Sequence, residues 1–194
     1  MSTLILIGLL ALNAFISWLN CRTVGSIWVE SRILGGFSRV LAWCGAVQAA
    51  VGFSSVVLFF GILVGVGGHW LPLAIAHKAA SLWYLLIVVP ALGTGLIITV
   101  QSWVVAFRER SIANFGAAAY NTAAMASNIY SALDGVPAAF RDVASLFKGD
   151  SDEDNSAAAL VFVIAIGSIL AGVVLTWWLI RHYARQERLV AMPV

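Results

Sequence analysis

Twenty-seven consecutive residues without a charge, Val40 to Val66 (VLAWCGAVQAAVGFSSVVLFFGILVGV), set the first limit on what this chain can become. As a helix the stretch is roughly 40 Å long, against about 30 Å for the hydrocarbon core of a bilayer. It can cross a membrane with length left for tilt. Small residues recur in it at fourth positions, Gly45 with Ala49 and Gly61 with Gly65. That spacing puts them on one face, where another helix can approach closely, so these four are the expected helix-packing positions. The whole chain agrees: it is 61% apolar and only 10% charged, with mean hydropathy +0.95. A soluble domain would be about 25% charged.

Three further apolar runs give an all-α integral membrane protein with about four transmembrane helices. A membrane domain over 1–107 holds three of them, at about 1–20, 40–66 and 81–107. The first lacks the positive start and small-residue cleavage site of a signal peptide, and is expected to be retained. Arg22, Ser26 and Glu30 in the connector after it are spaced by four, as on an interfacial helix, broken at Gly35-Gly36. In the third run, Pro90 cannot donate to the carbonyl of Leu86, and Gly93-Thr94-Gly95 follow, so a kink or local unwinding is expected there. The last helix covers 157–180, with acids before it and the basic tail 181–194 after it, both favourable to the helix dipole. With four crossings, Trp18, Trp43 and Trp103 mark one membrane surface and Trp70, Trp83, Trp177 and Trp178 the other.

Residues 108–156 form an amphipathic helical segment ending in an acidic loop. Ile112, Phe115, Ala119, Thr122, Ala126, Ile129 and Leu133 step by three and four, as one packed helix face does. Asn114, Asn121 and Asn128 make a second stripe at seven-residue spacing, a candidate pore-lining or partner-facing set. Asp134-Gly135 is expected to break the helix, and Pro137 to open another. Because asparagine is costly against lipid, an in-plane or surface helix is favoured, with a fifth crossing as the alternative. The charges disagree with four crossings. Four place seven Lys/Arg on one side and four on the other, while the last helix argues for a cytoplasmic tail; five place eight against three.

Few residues offer chemistry. HExxH, GxSxG, Walker-type and CxxC motifs are absent from the sequence. His69, His77 and His182 fall near the ends of apolar runs rather than inside facing helices, so no cofactor or metal is expected. Glu30, between Arg22 and Arg32, reads as an interfacial ion pair. Cys21 and Cys44 flank one connector, where a single bridge would be geometrically compatible, although cytoplasmic thiols are normally reduced. Gln48, Ser54, Ser55 and Gln101 either line a polar path or bond across helices. A net charge of +2 gives no reason to expect nucleic acid as a partner. The expectation is a non-enzymatic multipass subunit with a structural or assembly role in a larger, oligomeric complex. Its partners are the lipid bilayer, further copies of itself or other subunits. Its setting is the bacterial inner membrane, in secretion, conjugation or phage-related machinery. The alternative is a small oligomeric channel or carrier, with Pro90, Gly93, Thr94, Gly95 and the asparagine stripe along its path.

Overall fold

A chain in lipid must satisfy its backbone N–H and C=O groups within each segment, which leaves the helix as the economical solution here. The computed structural model describes residues 3–34, 36–148 and 152–190, and all its regular elements are helical. Gly35 of the expected break and residues 149–151 of the acidic run lie outside them. In order these are α1 (Thr3–Leu34), α2 (Gly36–Gly67), α3 (Leu73–Trp83), a π-helical turn (Tyr84–Val88), α4 (Val89–Glu109), α5 (Ile112–Ala144), a 3-10 turn (Ser145–Phe147) and α6 (Asp152–Val190). Four stretches are long and apolar enough to cross a membrane: Thr3–Glu30, Gly36–Gly67, Leu73–Arg108 and Asp154–Glu187. The protein is an all-α, multipass membrane protein. Leu4, Phe60, Val163 and Leu170 are exposed on its outer surface, as suits side chains whose solvent is lipid.

The connector after the first span is not a separate interfacial helix. α1 carries the first span and the connector as one rod to Leu34, and α2 starts at Gly36. α1, α2 and α6 then pack as a triangle through missing side chains. Gly25 of α1 faces Tyr183 and Ala184, and Gly52 of α2 lies where a Cβ would collide with Ser17 Oγ. A Cβ on Gly172 of α6 would come within 2.5 Å of the Ser54 nitrogen and 2.8 Å of the Ala50 carbonyl oxygen. A core of Leu58, Leu82, Trp83, Leu146, Val161 and Ala165 joins α2, α3, the 3-10 turn and α6.

The third column is α3, the π turn and α4 in one line. The Val89 N–H reaches back five residues to the Tyr84 carbonyl, so the unwinding falls immediately before Pro90. After α4, Arg110 takes a left-handed φ of 48° and caps the Ala106 carbonyl at 2.9 Å. This tight reversal sends α5 back alongside the same column. Phe115 packs on Phe107 and Trp103, Thr122 accepts from Trp103 Nε1 at 2.8 Å, and Gly95 faces Met125. Further on, Gly135 meets Tyr84, and Asp142 accepts from Ser81 Oγ at 2.8 Å. α5 is therefore antiparallel to the third span from end to end rather than laid across the bundle, although it is not among the four stretches long and apolar enough to cross.

Two sequence expectations change with it. The helix does not break at Asp134-Gly135: α5 runs through Pro137 to Ala144, held by contacts that Gly135, Ala139 and Asp142 make or bury. The aromatic belt is also redistributed. Because α5 adds a column, Trp177 lies beside Trp28 and Trp43, and Trp18 Nε1 donates to Tyr183 Oη at 2.6 Å. Trp177 and Trp178 thus share an end with Trp43, and that end also receives Arg22, Arg39, Arg108, Arg110, Arg181 and Arg185. We call it the basic end. Trp83 is not at a surface; it is buried and donates to Ser54 Oγ at 3.0 Å.

Gly172→Ala is expected to cost about 1–3 kcal/mol through overpacking, whereas Gly167→Ala, with open space around its Cβ, should leave stability unchanged or slightly raised. Thermal unfolding in detergent distinguishes them. In a background without Cys21 and Cys44, Arg110→Cys and Lys148→Cys flank α5. Impermeant thiol labelling of vesicles is expected to reach them from opposite sides; labelling from the same side would refute the crossing.

Candidate functional site

The most polar part of the bundle lies halfway along it. α2 and α4 form the back wall of a cleft of about 540 Å³ whose flanks are α1 and α5. Asn13, Ser17 and Asn20 come from α1, spaced by four and three so that they share one face. Gln48 and Ser55 come from the middle of α2, and Asn121, Asn128 and Ser131 from α5. Thr99 of α4 and Tyr84 of the π turn complete it. Apart from the phenols of Tyr84 and Tyr120, these lining groups are amides, hydroxyls and apolar chains, with no carboxylate, ammonium or imidazole.

Some of these polar groups hold the bundle together. Gln48 Nε2 donates to the Ala91 carbonyl at 2.9 Å and to Thr94 Oγ1 at 2.8 Å, and Thr94 Oγ1 itself donates to Ala91 at 2.8 Å. α2 is thereby tied to the turn of α4 that follows Pro90. Asn13 Nδ2 donates to Ser55 Oγ at 2.5 Å, tying α1 to α2. Thr99 Oγ1 donates to the Gly95 carbonyl at 2.9 Å and reaches the Asn121 carbonyl at 3.4 Å. Others have no such role. The side-chain amides of Asn20, Asn121 and Asn128 have no hydrogen-bond partner among the described residues. Tyr84 Oη is buried in the wall and likewise unpartnered.

The expected site residues fall in different places. Asn121 and Asn128 line this cleft; Asn114 lines a second one, of about 220 Å³, with Gln101, Ser102 and Val24. The two clefts share Asn20, Gln48 and Ile98, so the asparagine stripe follows one groove from the basic end to half-height. Thr94 and Gly95 meet Gln48 of α2 there and Gly95 also meets Met125 of α5, while Pro90 is exposed outside the cleft lining and Gly93 faces open space. Of the packing set, Gly45 lies against Val24, and Ala49 is buried with Cys21 and Phe53. Gly65 packs instead on Leu71 and Trp70 in the turn after α2, and Gly61 faces outward with nothing near it. A four-residue interval cannot tell which face of a helix its neighbours occupy, hence the difference. Gly25, Gly52 and Gly172 are the close contacts that fourth-position spacing within one run misses. Asn13, Ser17 and Asn20 were legible only as polar residues on a common face of an otherwise apolar helix.

The remaining candidates lie elsewhere. Cys21 and Cys44 are free, buried thiols, so they form no bridge. His77 Nδ1 lies 3.3 Å from Asp142 Oδ2, linking α3 to α5 at the end opposite the basic one. His182 stacks on Trp178, and His69 takes a left-handed φ of 62° in the turn after α2. Among the described residues no group of three or more His, Cys, Asp or Glu could hold a metal ion.

The fold and the cleft together define a class: a helical multipass membrane protein with an uncharged, amide-lined groove between two of its outer helices. No family model, no curated protein and no solved structure matches the chain.

If water or a polar partner reaches the groove, Asn128→Cys without the native thiols should react with a small hydrophilic thiol reagent in membranes. Val163→Cys on the exposed outer face of α6 should not. Equal protection at both positions would mean that the groove is closed to anything polar.

Proposed function

We propose that this chain is a non-enzymatic multipass subunit of a larger, oligomeric assembly in a bacterial inner membrane, and that it receives a partner in the groove between α1 and α5. The observation that carries the reading is the set of unpartnered amides of Asn20, Asn121 and Asn128 in the groove wall. Lipid offers no hydrogen bond, and an amide left without one there costs a few kcal/mol. A helix from a second copy or another subunit, carrying Ser, Thr, Asn or Gln, would satisfy them.

The outer face of α5 supports the same reading. Ala123, Ala126 and Ser127 are exposed and small enough for a close neighbour. Asp134 and Arg141 are exposed beyond them, without an ion pair among the described residues. Among the described residues the groove is lined mainly by amides, hydroxyls and apolar chains, a lining suited to hydrogen-bonding a partner helix. Eight Lys/Arg belong to the basic end and three to the other, which favours a cytoplasmic basic end. Secretion, conjugation or phage-related membrane machinery is the setting we infer. A second reading, a small channel or carrier, draws on one observation: the groove continues past Gln101 and Asn114 toward the basic end.

Native mass spectrometry in mild detergent is expected to find multimers or co-purifying subunits, and Asn121→Leu with Asn128→Leu should release the chain as a monomer. A wild-type monomer that conducts solute in liposomes, and stops when Asn121→Leu is introduced, would transfer the proposal to the second reading.

A further inference from the structure

A second groove, on another face of the bundle, has a different chemistry. α2 and α6 touch at Gly172 and open a channel of about 470 Å³ toward the basic end. Ala46, Val47, Ala50 and Val173 make its floor, too small to fill it. Trp43 and Trp177 stand on either side and are 61% and 58% exposed, and Trp28 meets Trp43 edge-on at 5.5 Å between ring centres. Thr176, 4% exposed, lies in the wall with its hydroxyl unpartnered.

The mouth of this groove is positive. Arg181 lines it, with its guanidinium held 4.6 Å from the centre of the Trp177 ring. That contact positions the charge at the groove while leaving its in-plane N–H donors available. Arg185 follows one turn later on α6, and Arg39 lies one turn before Trp43 on α2, on the same helical face; both are exposed. The order along the groove is therefore apolar floor, tryptophan pair, arginines, which is the order of chain, interface and headgroup in a phospholipid leaflet. A phospholipid complements both parts at once, its acyl chain the apolar floor and its phosphate the three arginines.

We propose that this groove holds an anionic phospholipid, one acyl chain on Ala46, Ala50 and Val173 and its phosphate among Arg181, Arg39 and Arg185. Basic pockets between spanning helices select such headgroups by charge, while the chain is held by contact area. The site is independent of the α1/α5 groove and of what that groove receives.

The test is native mass spectrometry of the detergent-purified chain titrated with dioleoyl phosphatidylglycerol or dioleoyl phosphatidylcholine. The wild type is expected to retain one phosphatidylglycerol well above phosphatidylcholine. Arg181→Gln and Arg39→Gln should each weaken phosphatidylglycerol retention about fivefold, the scale set by one juxtamembrane arginine, and leave phosphatidylcholine unchanged. Ala46→Phe, which fills the floor, should abolish the retained lipid; if it unfolds, Val173→Phe at the more exposed edge makes the same test. Millimolar inorganic phosphate should not displace the lipid. Equal retention of the two lipids by the wild type, undiminished phosphatidylglycerol on a folded floor-filled variant, or displacement by free phosphate would each overturn the proposal.

Discussion

In a membrane, helices gain nothing by exchanging lipid contacts for one another's oily side chains, so their association must come from close approach and polar bonds. This bundle depends on that constraint at Gly25, Gly52 and Gly172. At each, the missing Cβ lets a neighbouring backbone or side chain occupy the space. The bulky apolar residues are mostly sent outward instead, and the core that remains is small in volume. An ordinary soluble protein of this length would be arranged the other way round.

The polar bonds are concentrated where the third column is least regular. Pro90 removes one backbone donor, the π turn redistributes the carbonyls before it, and Gln48 and Thr94 meet at the next turn. α5 then runs down this column with Met125 against Gly95 and Gly135 against Tyr84. The irregular stretch is thus clamped from two sides, which is how a proline in a spanning helix is normally accommodated. The same clamping keeps α5 helical through its own Pro137.

Two grooves result, and they differ for a physical reason. Between α1 and α5 no helix among the described residues fills the gap, and amides line it, so its complement must donate and accept hydrogen bonds. Between α2 and α6 the small floor is apolar and the arginines collect at one end, so its complement is a molecule with an oily part and a negative one. The charge asymmetry of the bundle underlies the second: five antiparallel columns bring the connectors that hold Arg39 and Arg108 to the same end as the tail with Arg181 and Arg185.

The sequence alone determined the class and the spanning runs, because these rest on a local quantity, length without charge. Pro90 also announced an irregularity, but the π turn lies before it at Tyr84–Val88, and Gly93-Thr94-Gly95, expected to share in the kink, stay α-helical. The sequence also determined that α5 is amphipathic, with Asn114, Asn121 and Asn128 along one stripe. Where that helix lies was a tertiary decision. Its composition is too polar to announce a crossing, and only the turn at Arg110 and the register of Phe115, Met125 and Asp142 against α3 and α4 set it beside the third span. The placement of Trp177 with Trp43 followed from that, as did the company kept by Asn121: Asn13 and Asn20 lie about a hundred residues away in the chain, and no periodicity within one helix can report which face of another stands opposite it.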